Sequence, residues 1–174
     1  WKVNKKRRIE AQILPGAYGG QIERRPKANT RYQRCYMKFL KLQVENFMAI
    51  ASAEVELDQR GLVLIQGVNS DDSSASSNGS GKSTLMNSLM WCLYGETAHG
   101  VKGDDVLSTD HEKNCRVAVT IEDEGKRYAI IRHRKHKEFK NRLIVRGEDG
   151  DMTKGKDALT QEFVERLIGA SKEV

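Results

Sequence analysis

The feature that most constrains this chain is an apolar run that leads, after a polar detour, into a glycine-rich segment. The run is LVLIQG at 62–67, and the segment is NGSGKST at 78–84. A buried strand, a glycine-rich turn and the start of a helix, in this order, predict a P-loop that binds phosphate. The glycines let backbone N–H groups approach phosphate oxygens closely. The helix expected to begin near Lys82 adds the partial positive charge of its N-terminus.

The residue types in this segment predict a role for each side chain. Lys82 is the predicted catalytic residue and is expected at the β- and γ-phosphates of ATP. The Ser83 hydroxyl is expected to ligate Mg²⁺. The alternative is a chance match in a flexible linker, which the flanking strand and helix disfavour. The predicted nucleotide-binding residues are Gly67, Asn78, Gly79, Ser80, Gly81, Lys82, Ser83 and Thr84.

The segment departs from the strict P-loop pattern at one position. Glycine is expected five residues before Gly81, where the sequence has Ser76. We interpret SDDSSASS at 70–77 as an insertion within the loop, with Gly67 as the displaced turn glycine. The phosphate nest needs only the residues after Asn78, so the prediction of nucleotide binding stands.

Positive charge is concentrated at the start of the chain. Residues 1–36 contain ten Lys and Arg against two Glu, whereas residues 37–174 contain 20 Lys and Arg against 22 Asp and Glu. The net charge of +6 therefore does not by itself indicate nucleic-acid binding by the P-loop part. Residues 1–36 show no persistent helical or strand period, so we interpret them as a disordered basic extension before Met37. A basic arm that contacts nucleic acid is the alternative.

The sequence disfavours a membrane-spanning segment, a signal peptide and a metal site. Apolar runs stay shorter than the ~20 residues that span a bilayer, and a signal peptide is not visible, so we expect a cytoplasmic protein without a membrane partner. The three cysteines and four histidines lack metal-ligand spacing. His133 and His136 fall in a basic run and are expected to be solvated.

Apolar periodicity predicts several strands and two helices after Met37. A largely buried helix should run from Lys82 to a stop at Gly95. An amphipathic helix should span Asp157–Ile168, with Asp157 as its N-cap. Half-buried strands are predicted at 40–44 and 51–57, a central strand at 62–66, and an antiparallel meander at 117–121, 127–132 and 143–145. The fold class is therefore α/β, with an antiparallel β meander and a P-loop helix.

The segment 126–146 is strongly basic, with nine Lys and Arg against the single acid Glu138. A hairpin of this kind can follow the phosphates of DNA. The alternatives are a solvated hairpin, or pairing with acidic groups on a lobe of the protein that lies outside this sequence. The predicted DNA contacts are Arg132, Arg134, Lys135, Lys137 and Lys140.

Several segments together resemble the start of SbcC-type repair ATPases, the SMC-like branch of the ABC ATPases. They are MKFLKLQVENF at 37–47, the P-loop, WCLYG at 91–95 and GDDVL at 103–107. The acidic, serine-rich insertion is similar to that of SbcC-like proteins of large tailed phages. The resemblance covers 37–174. The family often has a basic residue after Asn-Phe, where this chain has Met48.

The resemblance implies a P-loop NTPase of the ABC-ATPase (SMC head) type, represented here by its N-terminal lobe and truncated before the Q-loop. In such ATPases two nucleotides lie between two heads, and each head is completed by a C-terminal lobe that carries the signature motif, the Walker B acids and the switch histidine. Residues 37–174 alone are therefore expected to bind ATP weakly and to hydrolyse it hardly at all.

The resemblance further implies an ATPase subunit of an exonuclease complex that processes DNA double-strand breaks in recombination and repair, in a bacterial or phage-infected cytoplasm. Its expected partners are DNA and an SbcD-type metallophosphoesterase. One alternative is a RecF-, RecN- or SMC-like DNA-binding ATPase without a nuclease partner. The other is an orphan lobe without catalytic activity.

Overall fold

The computed structural model describes residues 37–58 and 81–170 in full, together with the backbone of two further strands. The strands are β1 (Arg7–Ile13), β2 (Lys38–Phe47), β3 (Ile50–Glu56), β4 (Val63–Asn69), β5 (Cys115–Asp123), β6 (Lys126–Arg134), β7 (Leu143–Gly147) and β8 (Gly150–Asp151). The helices are α1 (Lys82–Tyr94) and α2 (Asp157–Ile168), and a 3₁₀ helix spans Gly103–Val106.

Six of the strands form one antiparallel sheet in the order β3-β2-β5-β6-β7-β8. The predicted meander is confirmed, since β5 pairs with β6 and β6 with β7 in antiparallel register. Alternate residues of these strands point to one face because the side-chain period of a strand is two. That face carries the buried core, which includes Leu42, Val119 and Val145.

Helix α1 packs on this core face. Leu85, Trp91 and Leu93 are buried, and the Cys92 Sγ lies 3.3 Å from the carbonyl oxygen of Val117 and 3.4 Å from that of Ile130. The helix ends at Gly95, as predicted. The left-handed φ of 82° lets the Gly95 N–H donate back to the Trp91 carbonyl at 2.9 Å.

The prediction that α1 is largely buried holds for one face only. Met86 and Met90 are 44% and 37% exposed, because the six-stranded sheet covers only the opposite side of the helix. Helix α2 has the predicted bounds, but its N-cap is Lys156 and makes no side-chain capping bond. The start of α2 is tied instead by Thr160, whose hydroxyl oxygen accepts the Lys154 N–H at 3.1 Å.

Strand β4, which precedes the P-loop, pairs with β1 and not with the six-stranded sheet among the described residues. The prediction of a disordered extension is therefore wrong for Arg7–Ile13, and the rest of 1–36 lies outside the described residues. The physical reason is an alternation that composition obscures: Ile9, Ala11 and Ile13 interleave with polar residues, which suits a strand. The strand predicted at 62–66 spans Val63–Asn69. Among the described strands it pairs only with β1, so the prediction that it is central in a sheet is wrong for the described residues.

Candidate nucleotide-binding site

The site predicted from the P-loop pattern lies at the N-terminal end of α1. Gly81 is the N-cap residue and has a left-handed φ of 92°, a conformation that a residue with a Cβ adopts only at a cost. The cap makes no side-chain hydrogen bond, and the first turn of α1 contains no acidic residue. Backbone N–H groups at a helix start attract an anion. The local structure of this turn therefore fits a phosphate group.

The other predicted P-loop residues divide between the described and undescribed parts of the chain. Lys82, Ser83 and Thr84 form the first turn of α1, and the Ser83 side chain is exposed. Gly67 lies inside β4, opposite Ile9, so the predicted turn glycine is in extended backbone and the strand continues to Asn69. The remaining residues, Asn78, Gly79 and Ser80, lie outside the described residues.

A groove of about 480 Å³ adjoins the start of α1. Thr84 contributes one wall, the β2–β3 connection the second, and the loop after α1 the third. This volume lies within the range of small-molecule sites, roughly 300–1,000 Å³. The lining residues are Met48, Ala49, Ala51, Thr84, Asp105, Leu107, Ser108, Thr109 and Asp110.

Backbone hydrogen bonds fix the two walls of the groove that flank α1. The Met48 N–H donates to the Val106 carbonyl at 2.8 Å, and the Ser108 N–H donates to the Asn46 carbonyl at 3.1 Å. Asn46 and Met48 both have a left-handed φ, 51° and 47°, which turns the chain sharply between β2 and β3. Met48 lines the groove and contributes apolar surface to it.

Arg132, predicted to contact DNA, lies at the opposite end of α1 from the turn predicted to bind phosphate. Its Nε donates to the Cys92 carbonyl at 3.0 Å, and its Nη2 lies 3.4 Å from the Leu93 carbonyl. Its Cζ also lies 5.9 Å from the centre of the Trp91 ring. Burial lowers the pKa of the Arg132 guanidinium. The structure thus removes Arg132 from the exposed basic group, because α1 covers this part of β6.

The other predicted DNA contacts lie in and after the last residue of β6. Arg134 Nε and Lys135 Nζ contact the two carboxylate oxygens of Asp104 at 2.7 and 2.8 Å. Hydrogen bonds from these two cations lower the pKa of Asp104. Lys137 and Lys140 are exposed, and neither is in a salt bridge with a described residue. The basic hairpin, 134–142, is therefore partly neutralised at its base and cationic at its tip.

A family of known domains matches this chain over most of its length. The AAA domain family matches residues 41–174. The chain belongs to the AAA domain family. This membership confirms the predicted α/β P-loop ATPase fold and agrees with the resemblance to SbcC-type proteins.

Three curated relatives are similar to this AAA domain. The SbcC component of the nuclease SbcCD from Deinococcus radiodurans is 35% identical over 52% of this chain and 11% of its own length. Exonuclease subunit 2 of Escherichia phage RB69 is 27% identical over 77% of this chain and 22% of its own length. The DNA double-strand break repair Rad50 ATPase of Halobacterium salinarum is 32% identical over 55% of this chain and 10% of its own length. The AAA domain thus spans between about a tenth and a fifth of these relatives.

The histidines of the basic run differ from their prediction. His133 is buried beside the rings of His136 and Phe139, with centroids 4.8 and 4.7 Å away, and is not solvated. Burial lowers the pKa of His133 to about 4.

Within residues 37–58 and 81–170, His, Cys, Asp and Glu side chains form no group of three suited to a metal ion. Helices that the structure describes are too short or too polar to cross a bilayer.

Sequence reasoning missed two residues that hold elements of the AAA domain together, one at the C-terminal end of α1 and one at the base of the basic hairpin. Gln161 of α2 contacts both Arg132 and the Leu93 carbonyl, and Asp104 anchors the base of the basic hairpin. In the sequence, Asp104 stands out only as part of the GDDVL segment that carries the resemblance. The excess of cations in 126–146 was the available signal for Asp104, since a basic cluster favours a nearby acid.

Proposed function

We propose that this chain is the ATP-binding N-terminal lobe of an ATPase that acts on DNA ends together with a nuclease. The left-handed Gly81 at the start of α1, within the sequence GSGKST, is the observation that carries the proposal. The first turn of α1 has no acidic residue, is preceded by glycines and begins with Lys and Ser. Such a helix start suits a nucleoside triphosphate. The name of the Rad50 ATPase relative favours ATP and DNA repair over other nucleotide functions, and the names of the other two favour a role with a nuclease.

In this proposal each residue of the first turn has a separate task. Lys82 places a positive charge at the β- and γ-phosphates, and the N–H groups from Gly79 to Thr84 hold the phosphate oxygens. The exposed Ser83 hydroxyl fits a ligand of Mg²⁺, which in such sites neutralises charge on the phosphates. The groove beside Thr84 offers a surface for the remainder of the nucleotide.

The lobe supplies binding and only part of the catalytic apparatus. Phosphoryl transfer needs a residue that positions water, and the C-terminal lobe and a second head supply it in the SbcC-type arrangement. We therefore propose a dimer of two-lobe heads in the cytoplasm, with weak ATP binding and little hydrolysis by residues 37–174 alone. Robust turnover by this chain, abolished by Lys82→Ala, would contradict this division of labour.

We propose that the basic hairpin binds DNA. Lys137 and Lys140 lie at its exposed tip, and Arg134 and Lys135 lie at its base. Cations that replace counterions on DNA make affinity fall with salt, by a slope of about 0.9 per phosphate contact. Charge reversal at Arg134, Lys135 and Lys137 should flatten the salt dependence of DNA affinity. An unchanged slope would leave the hairpin without a role in DNA binding.

The nuclease partner is the finer part of the proposal. Two relatives are named as components of a nuclease or an exonuclease, which supports an SbcD-type metallophosphoesterase. The reading frame beyond Val174 discriminates the alternatives. A long coiled coil beside a metallophosphoesterase gene supports the nuclease complex, a short chain without the coil supports a RecF-like ATPase, and a prompt stop codon supports an orphan lobe.

Binding of MgATP by the 174-residue chain tests the core of the proposal. Lys82→Ala should weaken binding of a fluorescent ATP analogue by at least roughly tenfold, because it removes a charge-assisted contact to phosphate. Lys140→Ala, an exposed lysine on the basic hairpin, is the matched control. Equal affinities of the wild type and Lys82→Ala would contradict an ATP site at this turn.

A further inference from the structure

The C-terminal end of α1 is held by a cation from a distant part of the chain. The last four carbonyls of a helix lack intrahelical partners, and the negative end of the helix dipole favours a positive charge there. The last turn of α1 contains no basic residue of its own. Arg132 of β6 fills that place by contacting the Cys92 and Leu93 carbonyls at 3.0 and 3.4 Å.

A second element meets the same carbonyl. Gln161 Nε2 in α2 donates to the Leu93 carbonyl at 2.9 Å, and Gln161 Oε1 accepts from Arg132 Nη2 at 2.5 Å. Gln161 Nε2 also donates to Glu165 Oε1 at 2.8 Å. Only one orientation of the Gln161 amide satisfies all three contacts, so its oxygen faces Arg132 and its nitrogen faces the Leu93 carbonyl.

Arg132 is half-buried, and its charge is partly desolvated. Removal of its guanidinium from water lowers its pKa, although Asp157 and Glu165 oppose this effect, and no described carboxylate forms a salt bridge with it. A desolvated cation is stable only where several acceptors surround it. The backbone makes room for it, since a Cβ added to Gly95 would lie 3.4 Å from Arg132 Nη1. A lysine would present a single ammonium and would not reproduce the fork that contacts three acceptors.

We propose that Arg132 is a positioning residue of the nucleotide site. This inference rests on the proposed ATP site at the start of α1. A helix of 13 residues transmits an axial displacement over roughly 20 Å, because its hydrogen-bonded backbone is stiff. Arg132 and Gln161 set the position of α1 from its C-terminal end, and so set where the phosphate-binding turn lies. They also link α2 to that turn.

A merely stabilising role predicts a different result. If Arg132 only caps α1, its loss lowers the melting temperature and leaves ATP affinity unchanged well below that temperature. If it positions α1, the affinity falls as well. Gln161→Leu is the sharper variant, because it leaves the Arg132 contacts to the Cys92 and Leu93 carbonyls in place and removes only the link to α2.

The experiment measures binding of a fluorescent ATP analogue with Mg²⁺ to the 174-residue chain, well below each variant's melting temperature. Arg132→Met, Arg132→Lys and Gln161→Leu should each weaken binding by roughly three- to tenfold, about the effect of losing one ordinary intramolecular hydrogen bond. Ile144→Ala, a buried change in β7 on the opposite face of the sheet from α1, is the control for lost stability and should bind normally.

The outcomes separate the two proposals. Loss of binding in Lys82→Ala with normal binding in Arg132→Lys and Gln161→Leu would overturn the positioning role and retain the ATP site. An equal loss in Ile144→Ala would also overturn it, because the effect would then follow stability alone. Normal binding in Lys82→Ala would overturn the ATP site itself. If Arg132→Met does not fold, Arg132→Lys and Gln161→Leu decide the question.

Discussion

Arg134 Nε donates a 2.7 Å hydrogen bond to Asp104 Oδ1, which joins the basic hairpin to the loop that lines the groove beside α1. Lys135 Nζ contacts the other oxygen of the same carboxylate at 2.8 Å. The Asp104 carboxylate therefore pairs with both cations at the base of the basic hairpin. Asp104 competes with any phosphate that approaches them.

Asp104→Asn should increase DNA affinity and steepen its salt dependence, because Arg134 and Lys135 become available to phosphates. The slope of log affinity against log salt should grow by roughly 0.9 for each phosphate gained. Fluorescence anisotropy of a labelled duplex at several salt concentrations measures the slope. Asp110→Asn, an exposed acid on the same loop, is the control. A slope equal to that of the wild type would show that the ion pairs do not mask a DNA contact.

Leu85→Ala and Met86→Ala should separate the buried and exposed faces of α1. Leu85 is 1% exposed in the main core, and its truncation should lower the free energy of unfolding by about 2–5 kcal/mol. Met86 is 44% exposed, so its truncation should change that free energy by less than about 0.5 kcal/mol. Urea unfolding followed by circular dichroism gives both values. Equal losses would indicate that Met86 is covered in solution.

The sequence predicted those elements whose signals are local. Alternation at Val117 and Val119 and the stop at Gly95 depend on neighbours within a few residues, and the structure has the strand and the helix end where these signals put them. The amphipathic pattern of α2 predicted its bounds for the same reason, although the composition of 1–36 obscured the strand Arg7–Ile13.

The arginines show what the sequence could not reveal. Arg132 and Arg134 are two residues apart and look alike in a basic run, yet one contacts the end of α1 and the other pairs with Asp104 at the base of an exposed hairpin. The difference arises from residues 29 to 40 positions away, such as Cys92 and Gln161. Periodicity does not encode contacts at that separation, so only the folded chain distinguishes an arginine that contacts a helix end from one on the exposed hairpin.

Gly95→Ala should destabilise the junction at the end of α1. Its φ of 82° lies in the left-handed region, where a residue with a Cβ costs about 1–2 kcal/mol, and the added Cβ would lie 3.4 Å from Arg132 Nη1. Gly169→Ala, at the end of α2, is the matched control, since its φ of 67° is also left-handed and a Cβ there meets nothing within 4 Å. Thermal unfolding of both variants checks the difference. A Gly95→Ala protein as stable as the control would argue against a tight contact with Arg132.

His133 should make the protein less stable as the pH falls from about 6.5 to about 4. Burial lowers the pKa of folded His133 to about 4, below the value of about 6.5 in the unfolded chain, so between these values the unfolded state binds more protons. The stabilisation by neutral His133 is complete above pH 6.5 and is lost on acidification, by on the order of 2 kcal/mol after allowance for partial solvation.

Urea unfolding of the wild type and of His133→Gln between about pH 7 and pH 4 measures this loss. His133→Gln should flatten the pH dependence, since glutamine does not titrate, whereas His99→Gln, at an exposed position, should retain it. The variant needs a free energy of unfolding high enough at neutral pH for the comparison, and His133→Asn serves if the glutamine does not fit beside Phe139. Identical pH profiles for the wild type and His133→Gln would mean that the ring is protonated without strain in the folded state.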